Sequence, residues 1–172
     1  MKHCIAVFLF ASSFATAAAA LDEHTPISAD GFGPIAVGMT LPAASQVASV
    51  QLAMDKDNTH NDHCFYANFE GDNAVDSITL MVDHNKVSTF TVYNPNISTK
   101  EKIGIGSSME DIKKAYPGKW HVRKNVFGDA GDDDIVVSVS PTYGYVFFIN
   151  DKKVHYYSVG SLHALENVEG CS

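Results

Sequence analysis

The stretch "DKDNTHNDHC" (55–64) gathers Asp55, Asp57, His60, Asp62 and His63, whose oxygens and ring nitrogens are the usual donors to cations. A calcium loop of the EF-hand type starting at Asp55 would need Gly at its sixth place and Glu at its twelfth. Those places hold His60 and Tyr66, so the motif fails. His60 and His63 could share a transition metal on a helix, but the Asn, Asp and Thr around them favour a solvated loop. A second acidic stretch, "GDAGDDD" (128–134), offers Asp129, Asp132 and Asp134 to calcium. Its simpler reading is a charged turn that keeps strand edges from pairing with other chains. The expectation is therefore no metal and no cofactor. A calcium- or transition-metal-binding cell-envelope protein, using 55–63 or 129–134, is the alternative function.

Covalent and hydrolytic chemistry find less support. The chain has no G-x-S-x-G elbow and no H-E-x-x-H, and "GIGSS" (104–108) lacks the longer spacing and the Lys of a phosphate-binding loop. "NIS" (96–98) is a glycosylation sequon only in a eukaryotic secretory pathway. No nucleophile, base and oxyanion stabiliser assemble, so the expectation is a protein that is not an enzyme. Aromatic residues are the stronger lead. Tyr143, Tyr145, Tyr156 and Tyr157 crowd the second half, where the first half has Ile78 opposite Tyr145 and Thr89 opposite Tyr156. Tyrosine is favoured at interfaces because it buries a large ring and keeps a polar tip. The candidate partner-binding residues are Tyr143, Tyr145, His155 and Tyr156. The competing reading packs these rings between the halves or under a helix, with Tyr156 the exception because it alternates away from Tyr157 and Val159.

These residues sit in a pattern that occurs twice. "MVDHNKVSTFTV" (81–92) returns as "FINDKKVHYYSV" (148–159), and "IAVGMT" (35–40) returns as "IGIGSS" (103–108), at offsets of 67 and 68 residues. Two matches in one register argue for internal duplication. In the second copy Ser107 and Glu110 fit a capping box, Met109, Ile112 and Tyr116 form one apolar stripe, and Pro117-Gly118 ends the helix. In the first, Thr40 caps, Pro42 is tolerated in the first turn, and Leu41, Ala44 and Val47 or Ala48 supply the stripe. Strands are predicted at 64–69, 77–82 and 87–93, then at 135–139, 144–149 and 154–159, with "DHNK" and "NDKK" as hairpin turns. The segment 144–149 is apolar on both sides and is placed in the middle of its sheet. The expected fold is α+β: two tandem copies of a short helix followed by an antiparallel β-meander, linked by a disulfide. The copies span 21–99 and 100–172 and form one compact unit.

The N-terminus gives the compartment. Lys2 and His3, an apolar run from Cys4 to Phe14 and the small residues "ATAAAA" have the pattern of a secretory signal peptide over residues 1–20. The run is too short to span a bilayer, which takes about 20 apolar residues. Cleavage would take the formal charge from −8 to −9 by removing Lys2. Such a chain has no general attraction for nucleic acid, and its charge serves solubility or would suit a cationic partner. The mature chain would keep only Cys64 and Cys171, which in an oxidising compartment most often pair; a reactive thiol is the alternative. A periplasmic or secreted location follows.

With "IAVGMT", Cys64, "ITLMVDHNKVSTFTV", "IGIGSSMEDIKKAYPGK" and "VGSLHALENVEGC" in view, residues 30 to 171 resemble a widespread family of small exported bacterial proteins without established activity. Where those relatives often carry Arg in the final strand and after its Gly, this chain has Tyr157 and Ser161. The tandem plan also resembles the β-lactamase inhibitor protein and the small outer-membrane assembly lipoproteins, which act by binding other proteins. The resemblance and the residues together lead to an exported, non-enzymatic protein-binding or inhibitor-like protein.

Overall fold

The computed structural model describes residues 21–57, 63–71, 75, 77–125, 133–167 and 169–171. Three two-residue strands, β1 (Ile27–Ser28), β2 (Gly31–Phe32) and β3 (Ile35–Ala36), form a small antiparallel sheet. They are followed by α1 (Leu41–Ala48) and by β4 (Leu52–Met54), β5 (Cys64–Phe69), β6 (Ile78–Asp83) and β7 (Lys86–Val92). Then come α2 (Met109–Ala115), β8 (Trp120–Arg123), β9 (Asp134–Ser138), β10 (Tyr143–Asn150), β11 (Lys153–Ser161) and α3 (Leu162–Glu166). β4 to β11 make one eight-stranded antiparallel sheet in the order β4-β5-β6-β7-β11-β10-β9-β8. Strand structure dominates, and the helices are short.

Side-chain alternation gives the sheet two faces. Phe65, Ala67, Phe69, Ile78, Leu80, Val82, Phe90, Val92, Ile135, Val137, Tyr145, Phe147, Tyr157 and Val159 point to one side and join the main core. Ile27, Phe32, Ile35, Ala44, Ala48 and Ile112 close that core from the small sheet and the two longer helices. On α1 the buried positions are Ala44 and Ala48, while Val47 is exposed, which settles the stripe in favour of Ala48. Tyr157 is fully buried, and its hydroxyl donates to the carbonyl of Ile97. The Tyr116 hydroxyl reaches the carboxylate of Glu101 at 2.8 Å.

The two hairpins are built alike. Their turns place His84 and Asn85, and Asp151 and Lys152, at positive φ, the geometry of the twisted two-residue hairpin. Each hairpin carries one extra residue just past the turn: Ser88 between the pairs Met81–Thr89 and Val82–Val87, and His155 between Phe148–Tyr156 and Ile149–Val154. Each is also clamped by the segment before a helix. Gly38 N–H donates to Val87 O and Val87 N–H to Met39 O; Gly106 N–H donates to Val154 O and Val154 N–H to Ser107 O.

That second clamp corrects the expected helix cap. Ser107 is held by Val154, and its hydroxyl accepts from Gly104 N–H. Ser108 therefore caps α2, with Asp111 completing the box: Asp111 N–H donates to Ser108 Oγ and Ser108 N–H to Asp111 Oδ2. These bonds hold the Asp111 carboxyl below the ordinary carboxylate range. Thr40 caps α1 as expected, accepting from Ala43 N–H.

The strand at 144–149 is interior, but the two central strands are β7 and β11. Its second apolar side has another cause. Val146, with Val136 from β9, is covered by Leu165 of α3, and Phe148 and Leu162 pack against this small second cluster. α3 and the edge strands β4 and β8 were outside the expected elements, being only five, three and four residues long.

Candidate functional site

The sheet face opposite the main core is only partly covered. α3 lies over β10 and β9 through Leu162 and Leu165, and the chain then runs back across the face to β5. There Cys171 is joined to Cys64, closing a loop of sequence separation 107, and Cys171 N–H donates to the Tyr66 hydroxyl at 3.3 Å. Residues 162–167 and 169–171 thus belong to a strap anchored at both ends. Between strap and sheet lies a pocket of about 360 Å³. This is near the lower end of the range for small-ligand sites.

The floor of the pocket is hydroxylated. Thr79, Thr89, Thr91 and Ser158 come from β6, β7 and β11, all on the face away from the core. Thr91 Oγ1 and Ser158 Oγ are hydrogen-bonded to each other at 2.9 Å. The walls are aromatic. Phe148 stacks on Tyr156 with ring centroids 4.2 Å apart, and Tyr156 stacks on Tyr93 at 5.3 Å. The guanidinium of Arg123 lies 5.9 Å from the Phe148 centroid. Four side chains from β8, β10, β11 and the end of β7 therefore make one ladder across the sheet. Tyr66, Asp55 and Glu169 complete the lining on the other side, with Asn167 and Gly170 from the strap.

Arg123 is fixed by its partners. Its Nε and Nη2 donate to Asp134 Oδ2 at 3.2 and 2.8 Å, and its Nη1 donates to the carbonyl of Leu165 at 2.8 Å. Asp134 is almost fully buried, and its Oδ1 has no hydrogen-bond partner. Burial pushes the Asp134 carboxyl upward, against the downward pull of Arg123. Asp134 is thus part of a strand and committed to an arginine. Burial also raises the hydroxyls of Tyr93 and Tyr156 above the ordinary phenol range. Both stay neutral at physiological pH.

The four candidate residues separate into two groups. Tyr145 is 3% exposed and packs in the core against Tyr116 and Phe147, and Tyr143 is half-buried against the same core. Both lie on the face that carries α1 and α2, because they share the parity of Phe147 along β10. Tyr156 is on the other face and in the pocket wall, half-buried rather than free. His155, the bulge residue, is exposed and meets Tyr156 edge-on at 5.9 Å. Of the acidic stretches, residues 58–62 and 126–132 lie outside the described residues, so His60, Asp62, Asp129 and Asp132 have no described position. Among the described residues, no three of His, Cys, Asp and Glu converge as metal ligands.

Comparison with known proteins is narrow. No family model matches the chain, and no curated protein matches it. Two solved chains match. One is the uncharacterized protein yfeY from Escherichia coli, aligned over 79% of this chain and 99% of that chain, with 15% identity and a TM-score of 0.48.

Tyr93, Phe148, Arg123 and Tyr66 belong to the site and were not among the candidates. Tyr93 lies just past β7 and Phe148 sits beside Ile149 in an apolar run, so neither stands out in the sequence. The available signal was parity. Phe148 and Tyr156 occupy one rung of the second hairpin, and the same rung of the first is Met81 and Thr89.

Proposed function

We propose that this chain is an exported, non-enzymatic protein that binds another protein through the strapped face of its sheet. The observation that carries the reading is the Phe148–Tyr156–Tyr93 stack beside the pocket. Rings placed this way offer area at little loss of rotamer entropy. The matched hairpin clamps, bulges and turns support a further reading, that residues 21–99 and 100–172 are copies of one unit. On that reading the rung Phe148–Tyr156 is the second copy's own addition, since the first copy keeps Met81 and Thr89 there. The disulfide suits an oxidising compartment, and no helix among the described residues is long and apolar enough to cross a membrane. The central hydroxyls, Thr91 and Ser158, bond to each other, an arrangement suited to a binding floor rather than to an activated nucleophile.

The test is capture from envelope extract with tagged protein, comparing the wild type with Tyr93→Ala and Tyr156→Ala. A specific partner should be retained by the wild type and reduced at least tenfold by either substitution, with thermal unfolding within a few degrees of wild type. Equal retention by all three would remove this face from the reading.

A further inference from the structure

The charged groups around the pocket are already engaged. Arg123 is paired with Asp134, Asp55 accepts from Asp57 N–H at 3.1 Å and from Asn68 Nδ2 at 3.4 Å, and Glu169 has partners of its own. What the lining leaves open is neutral. The side-chain hydroxyls of Thr79, Thr89, Tyr93 and Tyr156 have no hydrogen-bond partner among the described residues, whereas Thr91 and Ser158 hold each other. Thr89 is the decisive one. It is only 5% exposed, yet among the described residues the one side-chain oxygen both sealed from solvent and unpartnered is Asp134 Oδ1. The Thr89 hydroxyl is therefore not sealed, and it opens onto the cavity that it lines. A hydroxyl left unmet in such a place is costly, so whatever fills the pocket must bring hydrogen-bonding groups of its own.

We propose that the pocket binds a neutral pyranose sugar. A pyranose carries hydroxyls around its rim and an apolar C–H face, and the lining has a counterpart for each. Thr79 stands opposite Thr91 in the β6–β7 ladder, and Thr89 lies two residues away from Thr91 along β7. Directly opposed residues are about 5 Å apart and alternate residues about 7 Å, the scale of a six-membered ring with its hydroxyls. Each threonine or tyrosine hydroxyl both donates and accepts, so it meets a sugar hydroxyl in either sense. Tyr93, 53% exposed and backed by Tyr156, supplies the ring on which the C–H face lies. The space, about 360 Å³, admits a sugar ring whole. An aromatic ligand would stack on Tyr93 but leave Thr79 and Thr89 unmet. A charged ligand would give up its hydration to a lining whose counter-charges are committed.

The probes are glucose, galactose and N-acetylglucosamine, with p-cresol as a ring lacking a sugar's hydroxyls and protonated glucosamine as a cationic sugar. Each is followed through the ring resonances of Tyr93 and Tyr156 in intact oxidised protein. At least one neutral sugar should shift both sets saturably, with a Kd of about 1–10 mM, as befits a single small ligand. p-Cresol should bind at least tenfold more weakly than that sugar, and glucosamine no more tightly than glucose. Thr89→Val, which keeps the shape and removes the hydroxyl, should weaken the sugar by about 3- to 10-fold. Tyr93→Leu should weaken it similarly, while Tyr93→Phe, which keeps the ring, should stay nearer to wild type. Silence of all three neutral sugars at tens of millimolar overturns the proposal. So does p-cresol or glucosamine binding more tightly than the sugars, or a folded Thr89→Val that binds as the wild type does. Should Thr89→Val fail to fold, Thr79→Val reads the same dependence at a less buried position. Sugar binding is read without any partner, so it stands or falls apart from the protein-binding face. Silent sugars with capture lost in Tyr93→Ala leave that face standing alone, and bound sugars with no captured protein leave the pocket standing alone.

Discussion

Thr91 and Ser158 are hydrogen-bonded across the seam between β7 and β11, and they are 67 residues apart, the offset at which the two hairpin sequences repeat. The seam pairs Val92 with Tyr157, Phe90 with Val159 and Thr89 with Gly160. Under the same offset Phe90 corresponds to Tyr157 and Val92 to Val159. The pair Thr91–Ser158 is therefore the point where each hairpin faces its own counterpart, as at a twofold axis. A net hydrogen bond of this kind contributes about 1 kcal/mol. Thr91→Val and Ser158→Ala should each lower stability by about that amount, and a double-mutant cycle in urea should return a coupling near 1 kcal/mol. A coupling of zero would mean the two hydroxyls are satisfied by solvent.

Glycines give a sharper test of the same seam. A Cβ at Gly160 would lie 2.3 Å from Ser88 O and 2.8 Å from Thr89 Cα, and the residue has φ +142°, so the central strands would have to part. Gly160→Ala should cost at least about 3 kcal/mol or prevent folding. At Gly38 and Gly106, φ is +92° and +88° and a Cβ would meet nothing within 4 Å. Only backbone strain is left there, about 1–2 kcal/mol. Gly38→Ala and Gly106→Ala should cost the same within error, each read from its urea midpoint. A large inequality would show that the two clamps are not equivalent.

The scaffold was legible because its signals are local and doubled. Asn85 beside His84, Lys86-Val87 against Lys153-Val154, and Gly38 against Gly106 each name a turn, a hairpin exit or a clamp without reference to the rest of the chain. The cap of α2 shows how close such reading comes. Both Ser107 and Ser108 have an acidic residue three positions on, and only the hairpin bond from Val154 N–H to Ser107 decides between them. The offset of 68, which lays Thr40 over Ser108, already pointed to the right one. The pocket was legible in one residue, Tyr156. Its other walls depend on strand pairing and on where a five-residue helix lies, and both are long-range facts. Tyr145 and Tyr143, two apart, share the core face, which depends on the strand's parity against Phe147 rather than on residue type.

Buried tyrosines set an alkaline limit. Burial, with the Glu101 carboxylate beside it, pushes the Tyr145 hydroxyl up to about 12, and burial raises Tyr116 and Tyr157 further. Below pH 10 these phenols are protonated in both states and stability is unaffected by them. As pH rises above 10 the unfolded chain loses its protons first, so the native state weakens by about 1.4 kcal/mol per pH unit for each such tyrosine. Urea midpoints should fall steeply between pH 10 and 11 and hardly at all between 8 and 9. Tyr157→Phe should flatten the fall by about a fifth to a third, since Tyr93 and Tyr156 are raised as well, although it loses the bond to Ile97 O and is less stable at neutral pH. Parallel slopes for variant and wild type would place the alkaline loss elsewhere.

The strap should open before the sheet does. Its hold on the far side of the face is the Cys64–Cys171 bond together with the bond from Cys171 N–H to Tyr66. Its hold on the near side is the small apolar contact of Leu162 and Leu165 with Val136, Val146 and Phe148, plus Arg123 on Leu165 O. The near contact is separate from the main core, so losing the far anchor leaves β5 to β11 intact. For a loop of separation 107, chain-entropy reasoning gives about 4–5 kcal/mol for the disulfide, expressed as easier global unfolding. In Cys64→Ser/Cys171→Ser the urea midpoint should drop accordingly. Under native conditions the amide of Cys171 should exchange much faster, that of Leu162, bonded to Thr142 O, somewhat faster, and those of the β7–β11 seam only by the global amount. Uniform acceleration at all these sites would make strap and sheet a single cooperative unit. The graded pattern would make the pocket wall carrying Glu169 dependent on the oxidation state of one bond, while the ladder of Phe148, Tyr156 and Tyr93 keeps its place on the sheet.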